Sequence, residues 1–171
     1  MNLKRSAALS LAGLLILTAL PAVALDPKLY DPKDPINSQP PNEIAAQRLL
    51  PQVRDELWSK LVKCKLDYDE DKGTYSIHVT PEVKALDGKT ITVRGFVLPM
   101  DGSDRTRHFL ISRNTPVCMY CPPGQPNEVV EVQAKKPITW SNRIVSITGK
   151  LSLINDGEQA LFFRIENGEA K

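Results

Sequence analysis

The sequence is poor in the residues from which most catalytic and metal sites are built. It has only 2 histidines and 3 cysteines among 171 residues, and aromatic residues make up 6% of the chain. It contains no G-x-S-x-G sequence, no phosphate-binding P-loop and no H-E-x-x-H zinc motif. No pair of titratable residues stands out as a general acid and base. These absences argue against an enzyme and favour a binding or accessory protein.

The sequence also lacks an excess of charge of one sign. Lysine and arginine number 22 against 20 aspartates and glutamates, for a formal net charge of +2. Removal of the first 24 residues would take away Lys4 and Arg5 and leave a formally neutral chain of 147 residues. Nucleic-acid binding draws on an excess of clustered cations. The composition therefore predicts no nucleic-acid partner.

No apolar run in the chain is long enough to span a bilayer as a helix. The apolar run from Ala7 to Leu20 follows Lys4 and Arg5, and Ala22-Val23-Ala24 comes directly after it. A basic start, a short apolar run and an A-x-A sequence are typical of a cleavable secretory signal. We predict that residues 1–24 are a signal peptide and that the mature protein is periplasmic, without stable membrane insertion.

The next two segments differ in composition from each other. Residues 25–41 contain 5 prolines among polar residues, which favours an extended, proline-rich arm. Residues 42–66 are predicted to be helical, with Pro51 opening a helix at its first position, where the missing N–H costs nothing. Apolar residues recur at helical spacing on one face: Leu57, Trp58, Leu61, Val62 and Cys64. Cys64 is therefore expected to be a buried free thiol.

Residues 67–171 have the pattern of a β domain. The acidic segment from Asp67 to Gly73 is expected to be a solvated turn between the helix and the first strand. Strands are predicted from runs of β-branched and aromatic residues between turn residues, at Thr74–Val79, Thr90–Leu98, Arg107–Ser112, Glu128–Gln133, Arg143–Ile154 and Ala160–Glu166. Gly95 and Gly149 interrupt alternating apolar residues, as expected where strands bend at a barrel corner.

The predicted fold class is mainly β. Five or six short strands with bent glycine positions favour a small antiparallel OB-like β-barrel, preceded by one α-helix and the proline-rich arm. An open sheet with one helix is the alternative.

Two of the cysteines lie in one C-x-x-C sequence, Cys118 to Cys121, flanked by Pro116, Pro122 and Pro123. Two thiols at this spacing can bind a metal ion, cycle as a redox disulfide or close a structural disulfide. A thioredoxin-like site needs a helix whose N-terminus lowers the pKa of the reactive thiol. The prolines disfavour a helix directly after the cysteines, and the apolar run that follows predicts a strand. The helix that a redox-active cysteine usually requires is therefore not expected here. A structural disulfide remains an alternative.

Metal binding would require ligands beyond the two thiolates. His108 begins the strand that leads into the C-x-x-C loop, so a hairpin around this loop would let it approach as a third ligand. Cys64 and His78 are the candidates for a fourth ligand, although each is equally explained by packing. Thiolates suit Zn(II) or Cu(I), and the sequence does not separate the two.

Several blocks of the sequence resemble a family of secreted bacterial proteins known as domain of unknown function number three-two-nine-nine. The blocks are Val93–Met100, His108–Ser112, Cys118–Pro123 and Pro126–Val130. The resemblance covers roughly Asp87 to Glu166. It implies an exported, OB-like domain encoded near ABC-transporter genes. Some members of this family have histidine at the position of Cys121. Histidine can bind a metal ion but cannot form a disulfide, so the resemblance favours metal binding.

These observations together predict a periplasmic metal-binding accessory protein of an envelope transport or metal-homeostasis system. Cys118 and Cys121 are its predicted thiolate ligands and His108 its third ligand, with zinc as the expected metal and copper as the other candidate. Envelope ABC-transporter or metal-handling proteins are the expected partners. A thiol–disulfide oxidoreductase, or a partner-binding module with a structural Cys118–Cys121 disulfide, are the alternative functions.

Overall fold

The computed structural model describes residues 46–117 and 124–171. The predicted signal peptide at 1–24, the arm at 25–41 and the pair Cys118 and Cys121 lie outside these residues. Residues 46–49 are helical. The helices are α1 (Glu56–Leu61), α2 (Pro81–Lys84) and the 3-10 helix η1 (Pro126–Glu128). The strands are β1 (Lys65–Asp69), β2 (Thr74–His78), β3 (Thr90–Pro99), β4 (Arg105–Ser112), β5 (Val129–Thr139), β6 (Val145–Asp156) and β7 (Leu161–Ala170).

Strands β3 to β7 form a closed five-stranded barrel in the order β3-β4-β5-β7-β6, and the pairing of β3 with β6 closes it. The predicted OB-like barrel is confirmed. Four of the pairings are antiparallel, but β5 and β7 pair in parallel, which strand patterns alone did not predict. The reason is topological. Strand β6 crosses to pair with β3, and β7 then returns between β6 and β5, so that two reversals of direction leave β7 parallel to β5.

The two predicted corner glycines are positions where another part of the chain comes very close. Strand β3 changes its partner from β6 to β4 just after Gly95. A Cβ atom at Gly95 would collide with the side chain of Ile111 and the carbonyl of Ser112. A Cβ atom at Gly149, where the β6–β7 register shifts, would lie 2.5 Å from Cγ2 of Ile165. Both sites require glycine because any side chain would push neighbouring strands apart.

Helix α1 closes one part of the barrel core with large apolar side chains. Trp58 and Leu61 are fully buried, and the Trp58 indole N–H donates to the carbonyl oxygen of Arg94 at 2.7 Å. The helix begins at Glu56, because the Asp55 carboxylate accepts a hydrogen bond from the backbone N–H of Trp58 and caps the first turn. The prediction that Pro51 opens this helix was therefore wrong. Across residues 46–117 and 124–171, no helix is long and apolar enough to cross a membrane.

Strands β1 and β2 form a separate two-stranded hairpin outside the barrel. The boundary that we predicted between a helical segment ending at residue 66 and the barrel falls inside β1, and the barrel itself begins at Thr90. Asp67 and Asp69 lie on β1, so the acidic segment is part of a strand and its hairpin turn and does not follow a helix directly. The hairpin joins the barrel through a hydrogen bond of 3.0 Å from the Tyr75 N–H to the Gly157 carbonyl.

Candidate functional site

The candidate site is built on the β4–β5 hairpin. These two strands pair antiparallel, with Ser112 opposite Val129 at the end of the ladder, and the C-x-x-C sequence lies in the connection between them. The predicted hairpin around the loop is confirmed. Cys118 and Cys121 themselves lie outside the described residues, which include the two ends of their loop.

Glu128 ties the two ends of this loop together. Its Oε2 accepts hydrogen bonds from the Asn114 side-chain amide at 3.1 Å and from the Gln125 backbone N–H at 3.0 Å. Its Oε1 lies 3.5 Å from Nη1 of Arg113. Residues before and after the C-x-x-C sequence thus meet at one carboxylate. We call Arg113, Asn114, Gln125 and Glu128 the loop base.

Gly124, the first described residue after the C-x-x-C sequence, has a backbone conformation that the loop base requires. Its φ is +152°, and a Cβ atom there would lie 2.5 Å from Nδ2 of Asn114 and 2.7 Å from Oε2 of Glu128. A side chain at this position would therefore break the hydrogen bond between Asn114 and Glu128. The glycine is needed for the closed loop base.

The first half of the loop is also fastened to the N-terminal part of the chain. The Thr115 hydroxyl donates to the carbonyl oxygen of Pro51 at 2.6 Å, and the Val53 N–H donates to the carbonyl oxygen of Arg113 at 2.8 Å. The segment that we had expected to open a helix at Pro51 instead runs beside the loop. Its role in the fold is to hold the strand β4 end of the loop in place.

The second half of the loop is fastened near Cys64. The side-chain amide of Asn127 donates to the carbonyl oxygens of Cys64 at 2.9 Å and Val62 at 3.3 Å. Cys64 is 1% exposed and belongs to the hydrophobic core, which confirms the expected buried free thiol. Its position near the end of the loop was not predictable from its helical spacing, because it depends on η1 packing against α1.

His108 lies on β4 and contacts a polar cluster centred on a buried carboxylate. Its Nε2 is 2.7 Å from Oε1 of Glu131, and Nε of Arg164 is 2.8 Å from Oε2 of the same carboxylate. The Glu131 side chain is 3% exposed, whereas that of His108 is 48% exposed. We call these three residues the His108 cluster.

The His108 cluster is assembled by three strands. Glu131 on β5 lies opposite Leu110 of β4 on one side and Arg164 of β7 on the other. Sequence reasoning missed Glu131 and Arg164. The available signal was the glutamate inside the apolar run of residues 129–132, because a charged residue buried in such a run requires charged or polar partners.

His108 is some distance from the loop base along β4. His108 comes four residues before Ser112 on this strand, a separation of about 13 Å, and it lies opposite Gln133 of β5. The hairpin therefore brings His108 to the same pair of strands as the C-x-x-C loop but not to its base.

The backbone of His108 is held by the β3–β4 turn. The Thr106 hydroxyl oxygen accepts from the His108 N–H at 3.0 Å and lies 3.1 Å from Oδ2 of Asp101. The pKa of Asp101 is lowered from its ordinary value, first by the Ser103 hydroxyl and then by the Ser103 backbone N–H, with a smaller part from Thr106. This turn therefore carries a carboxylate whose charged form is stabilised by hydrogen bonds.

His78, the other predicted helper, lies on the β1–β2 hairpin. Its Nε2 is 2.7 Å from Oδ2 of Asp67, and the two side chains are 73% and 63% exposed. The described residues of this chain contain no group of three or more histidine, cysteine, aspartate or glutamate side chains arranged to hold a metal ion.

A groove of about 290 Å³ opens where β5 and β7 diverge beyond Ala134 and Gly168. Lys135 and Glu169 form an ion pair of 2.6 Å at its edge. The residues that line it include neither histidine nor cysteine. Its chemistry is therefore distinct from that of the candidate site.

Comparison with known proteins gave two matches. The model of a family described as "Protein of unknown function (DUF3299)" matches residues 33–161. Among solved structures, the chain is similar to a DUF3299 family protein (PA4066) from Pseudomonas aeruginosa PAO1, with 19% identity and a TM-score of 0.48, over 71% of this chain and 83% of that chain. No curated protein gave a significant match.

The family match begins further towards the N-terminus than the sequence blocks indicated. We expected the resemblance to start near Asp87, but the matched range includes Cys64 and residues 33–41 of the arm. The shared region is therefore longer at its N-terminal end than the sequence blocks indicated.

Proposed function

The chain belongs to the DUF3299 family, and for this member we propose a periplasmic metal-binding role in which Cys118 and Cys121 supply two thiolates. The metal is zinc, with copper(I) as the second candidate, because both accept thiolate ligands. The protein acts as an accessory binding protein, and not as an enzyme, in an envelope transport or metal-homeostasis system. Its partners in this proposal are envelope ABC-transporter or metal-handling proteins.

The observation that carries this proposal is the loop base. The carboxylate of Glu128 joins Asn114 to Gln125 across the C-x-x-C sequence, at distances of 3.1 and 3.0 Å. A loop whose two ends are already fixed loses less conformational entropy when its thiolates close on an ion. This support applies to a metal site and to a short structural disulfide, so the experiment must separate the two.

The element after the loop supports metal binding over redox catalysis. Residues Pro126–Glu128 form a 3-10 helix of 3 residues, and strand β5 follows at once. A thioredoxin-like cysteine is activated by the N-terminus of a full helix, which lowers the pKa of its thiol. The described chain after the loop offers no such helix.

His108 is the third ligand in this proposal. It lies on β4, the strand that leads into the C-x-x-C loop, and its Nε2 is 2.7 Å from Oε1 of the buried Glu131. The N-terminal signal-like sequence supports the periplasmic location, where thiols that are not bound to metal are exposed to oxidation.

The test uses mature protein isolated from the periplasm, with metal content measured by elemental analysis and free thiols by titration. We expect one equivalent of zinc in the wild type, its loss in Cys118→Ser, and reduced retention on dialysis in His108→Ala. Cys64→Ala is the matched control, because this thiol is 1% exposed in the core, and we expect it to keep its zinc.

The same samples distinguish the alternatives. A fully formed Cys118–Cys121 disulfide without metal contradicts the proposal and supports a structural staple. A pair that cycles between thiol and disulfide, again without metal, supports the redox function. Loss of zinc in Cys118→Ser with full retention in His108→Ala removes His108 from the site and keeps the two thiolates.

A further inference from the structure

The groove between β5 and β7 lies where two strands of the barrel stop pairing although both continue. Their register ends at Ala134 and Gly168, whereas β5 runs on to Thr139 and β7 to Ala170. The space between them, about 290 Å³, is close to the lower end of the range for ligand pockets in proteins. No strand that the structure describes fills this gap, which we call the β5–β7 groove.

The backbone of Ala170 faces this groove. In an antiparallel pair, residues alternate between those bonded to the partner strand and those whose N–H and C=O point away from it. The Lys171 N–H donates to the Ser146 carbonyl oxygen at 3.0 Å, so these two residues form a hydrogen-bonded pair. The preceding pair, Ala170 opposite Ile147, is then of the other kind. The N–H and C=O of Ala170 therefore point away from β6 and towards β5.

The opposite edge of the groove is built in the same way. The Trp140 N–H donates to the Asp104 carbonyl oxygen at 2.8 Å, and the preceding pair on these two strands is Thr139 opposite Arg105. By the same alternation, the N–H and C=O of Thr139 point away from β4 and towards β7. Within the described chain, each edge thus presents a backbone donor and an acceptor where β5 and β7 are no longer paired.

The side chains that line the groove carry an excess of positive charge. Lys135 on β5 forms an ion pair of 2.6 Å with Glu169 on β7. Lys136 also lines the groove and makes no ion pair with any side chain that the structure describes. The pKa of Glu169 is lowered, first by the hydrogen bond from Lys135 and less by the charge of Lys136. Because two lysines face one glutamate, a ligand with a negative group is favoured here.

The same features argue against a second copy of this chain as the ligand. Pro137 lines the groove and has no N–H, and lysine and proline at a strand edge are common means of preventing edge-to-edge association. Two copies that met through their grooves would also bring excess positive charges together. An acidic segment of another protein would be attracted instead.

We propose that the β5–β7 groove binds an extended, acidic segment of a partner protein by strand addition. The main chain of that segment pairs with the backbone of Thr139 and Ala170, and one of its side-chain carboxylates lies against Lys136. In this mode of recognition, main-chain hydrogen bonds supply affinity and side-chain contacts supply selectivity.

This groove is separate from the C-x-x-C loop. Ile138, which lines the groove, lies opposite Thr106 on β4, and Thr106 comes six residues before Ser112 at the loop end of that strand. Six residues correspond to about 20 Å of strand. Peptide binding in the groove therefore does not require a metal ion at the loop.

The test uses ¹⁵N-labelled mature protein isolated from the periplasm and three capped pentapeptides of threonine and valine, with one glutamate at position 2, 3 or 4. We expect at least one peptide to shift the backbone NMR signals of β5 and β7 at the groove. The same peptide should slow hydrogen exchange at the N–H groups of Thr139 and Ala170. Its glutamine analogue should bind about three- to fivefold more weakly, as expected for the loss of one exposed ion pair.

Two variants locate the charge contact. Lys136→Gln should weaken binding of the glutamate peptide by the same factor and leave binding of the glutamine peptide unchanged. The matched control is Lys65→Gln, which alters an exposed lysine on β1 and should change neither affinity. N-methylation of the bound peptide at alternate residues should weaken binding by about tenfold, because the donors needed for strand pairing are lost.

Three outcomes overturn the strand-addition proposal: no shift at the groove with any of the three peptides, equal binding of the glutamate and glutamine peptides, or unchanged exchange at Thr139 and Ala170 when peptide is bound. Elemental analysis of the same protein tests metal binding separately, so either proposal can fail while the other stands.

Discussion

Two histidine–carboxylate pairs in this protein have the same length and opposite surroundings. His78 and Asp67 on the β1–β2 hairpin are 2.7 Å apart with side chains 73% and 63% exposed. His108 and Glu131 on the barrel are also 2.7 Å apart, but Glu131 is 3% exposed. At the hairpin, water competes for both groups, and such pairs contribute little to stability. At the barrel, Glu131 is shielded from water and depends on His108 and Arg164 for its hydrogen bonds.

Two contacts of equal length therefore differ in how much each depends on being kept, because they differ in exposure to water. The hairpin is a two-stranded sheet with one face in solvent, so Asp67 can hydrate whenever the contact opens. Glu131 lies between β4 and β7, where its neighbours on both sides are strands. At the same distance of 2.7 Å, the Asp67 carboxylate can exchange its contact for water, whereas the buried Glu131 carboxylate cannot.

The largest expected effect is on stability when the carboxylate of each pair is removed. We expect Glu131→Ala to lower the free energy of unfolding by about 3 kcal/mol, because a buried ion pair is broken and a cavity is left. We expect Asp67→Ala to lower it by less than about 0.5 kcal/mol. Urea unfolding monitored by tryptophan fluorescence, to which the fully buried Trp58 contributes, measures both losses. Equal losses in the two variants would show that burial does not distinguish the pairs.

A smaller effect is expected when the cation beside each carboxylate is removed. Arg164→Met leaves Oε2 of Glu131 without its donor, and we expect a loss of about 1 to 2 kcal/mol in the free energy of unfolding. Lys72→Met removes the partner of Asp69 at the hairpin turn, where the two side chains are 74% and 39% exposed. We expect no measurable change there. An unchanged free energy of unfolding in Arg164→Met would mean that the hydrogen bond from His108 is sufficient for Glu131.

The smallest effect concerns acid titration of the two turns. The pKa of Asp101 is lowered chiefly by the Ser103 hydroxyl, and that of Asp69 chiefly by the Lys72 ammonium. A lowered folded-state pKa gives stability that is present above the ordinary value of 3.8 and is lost as the pH falls below it through the folded pKa. We expect Ser103→Ala to raise the pKa of Asp101 and leave that of Asp69 unchanged.

NMR of the side-chain carboxyl carbons against pH measures both groups in one sample. The reciprocal variant, Lys72→Met, should raise the pKa of Asp69 and leave that of Asp101 unchanged. A shift of both groups in either variant would show that the two turns are electrostatically coupled, which their separate positions in the fold do not lead us to expect.

Much of the fold was predictable from local pattern. Alternating β-branched and aromatic residues located each barrel strand to within a few residues, except that β5 runs on to Thr139 and β7 to Ala170. Gly95 and Gly149 marked the corners, because only a residue without a side chain permits the close approach seen there. Strand β1 was missed, since Lys65–Asp69 alternates charged and apolar residues in a short stretch that also resembles a helix end.

The candidate site was predictable only in part. The C-x-x-C sequence and its position in a hairpin followed from the sequence, and the β4–β5 pairing agrees with that position. The loop base was not foreseen, because Glu128 and Asn114 are 14 residues apart and meet only when the strands pair. His108 was identified, but its partner Glu131 was not, since their contact spans 23 residues.

The sequence by itself determined the elements: a mainly β chain, glycines at two barrel corners, a buried thiol at Cys64 and a C-x-x-C sequence between two paired strands. These follow from composition and from the periods of strand and helix, which act over a few neighbouring residues. Only the tertiary structure decided that one histidine is held by a buried carboxylate and the other by an exposed one. That distinction depends on strand register and on the parallel β5–β7 pairing, which join residues far apart in the chain.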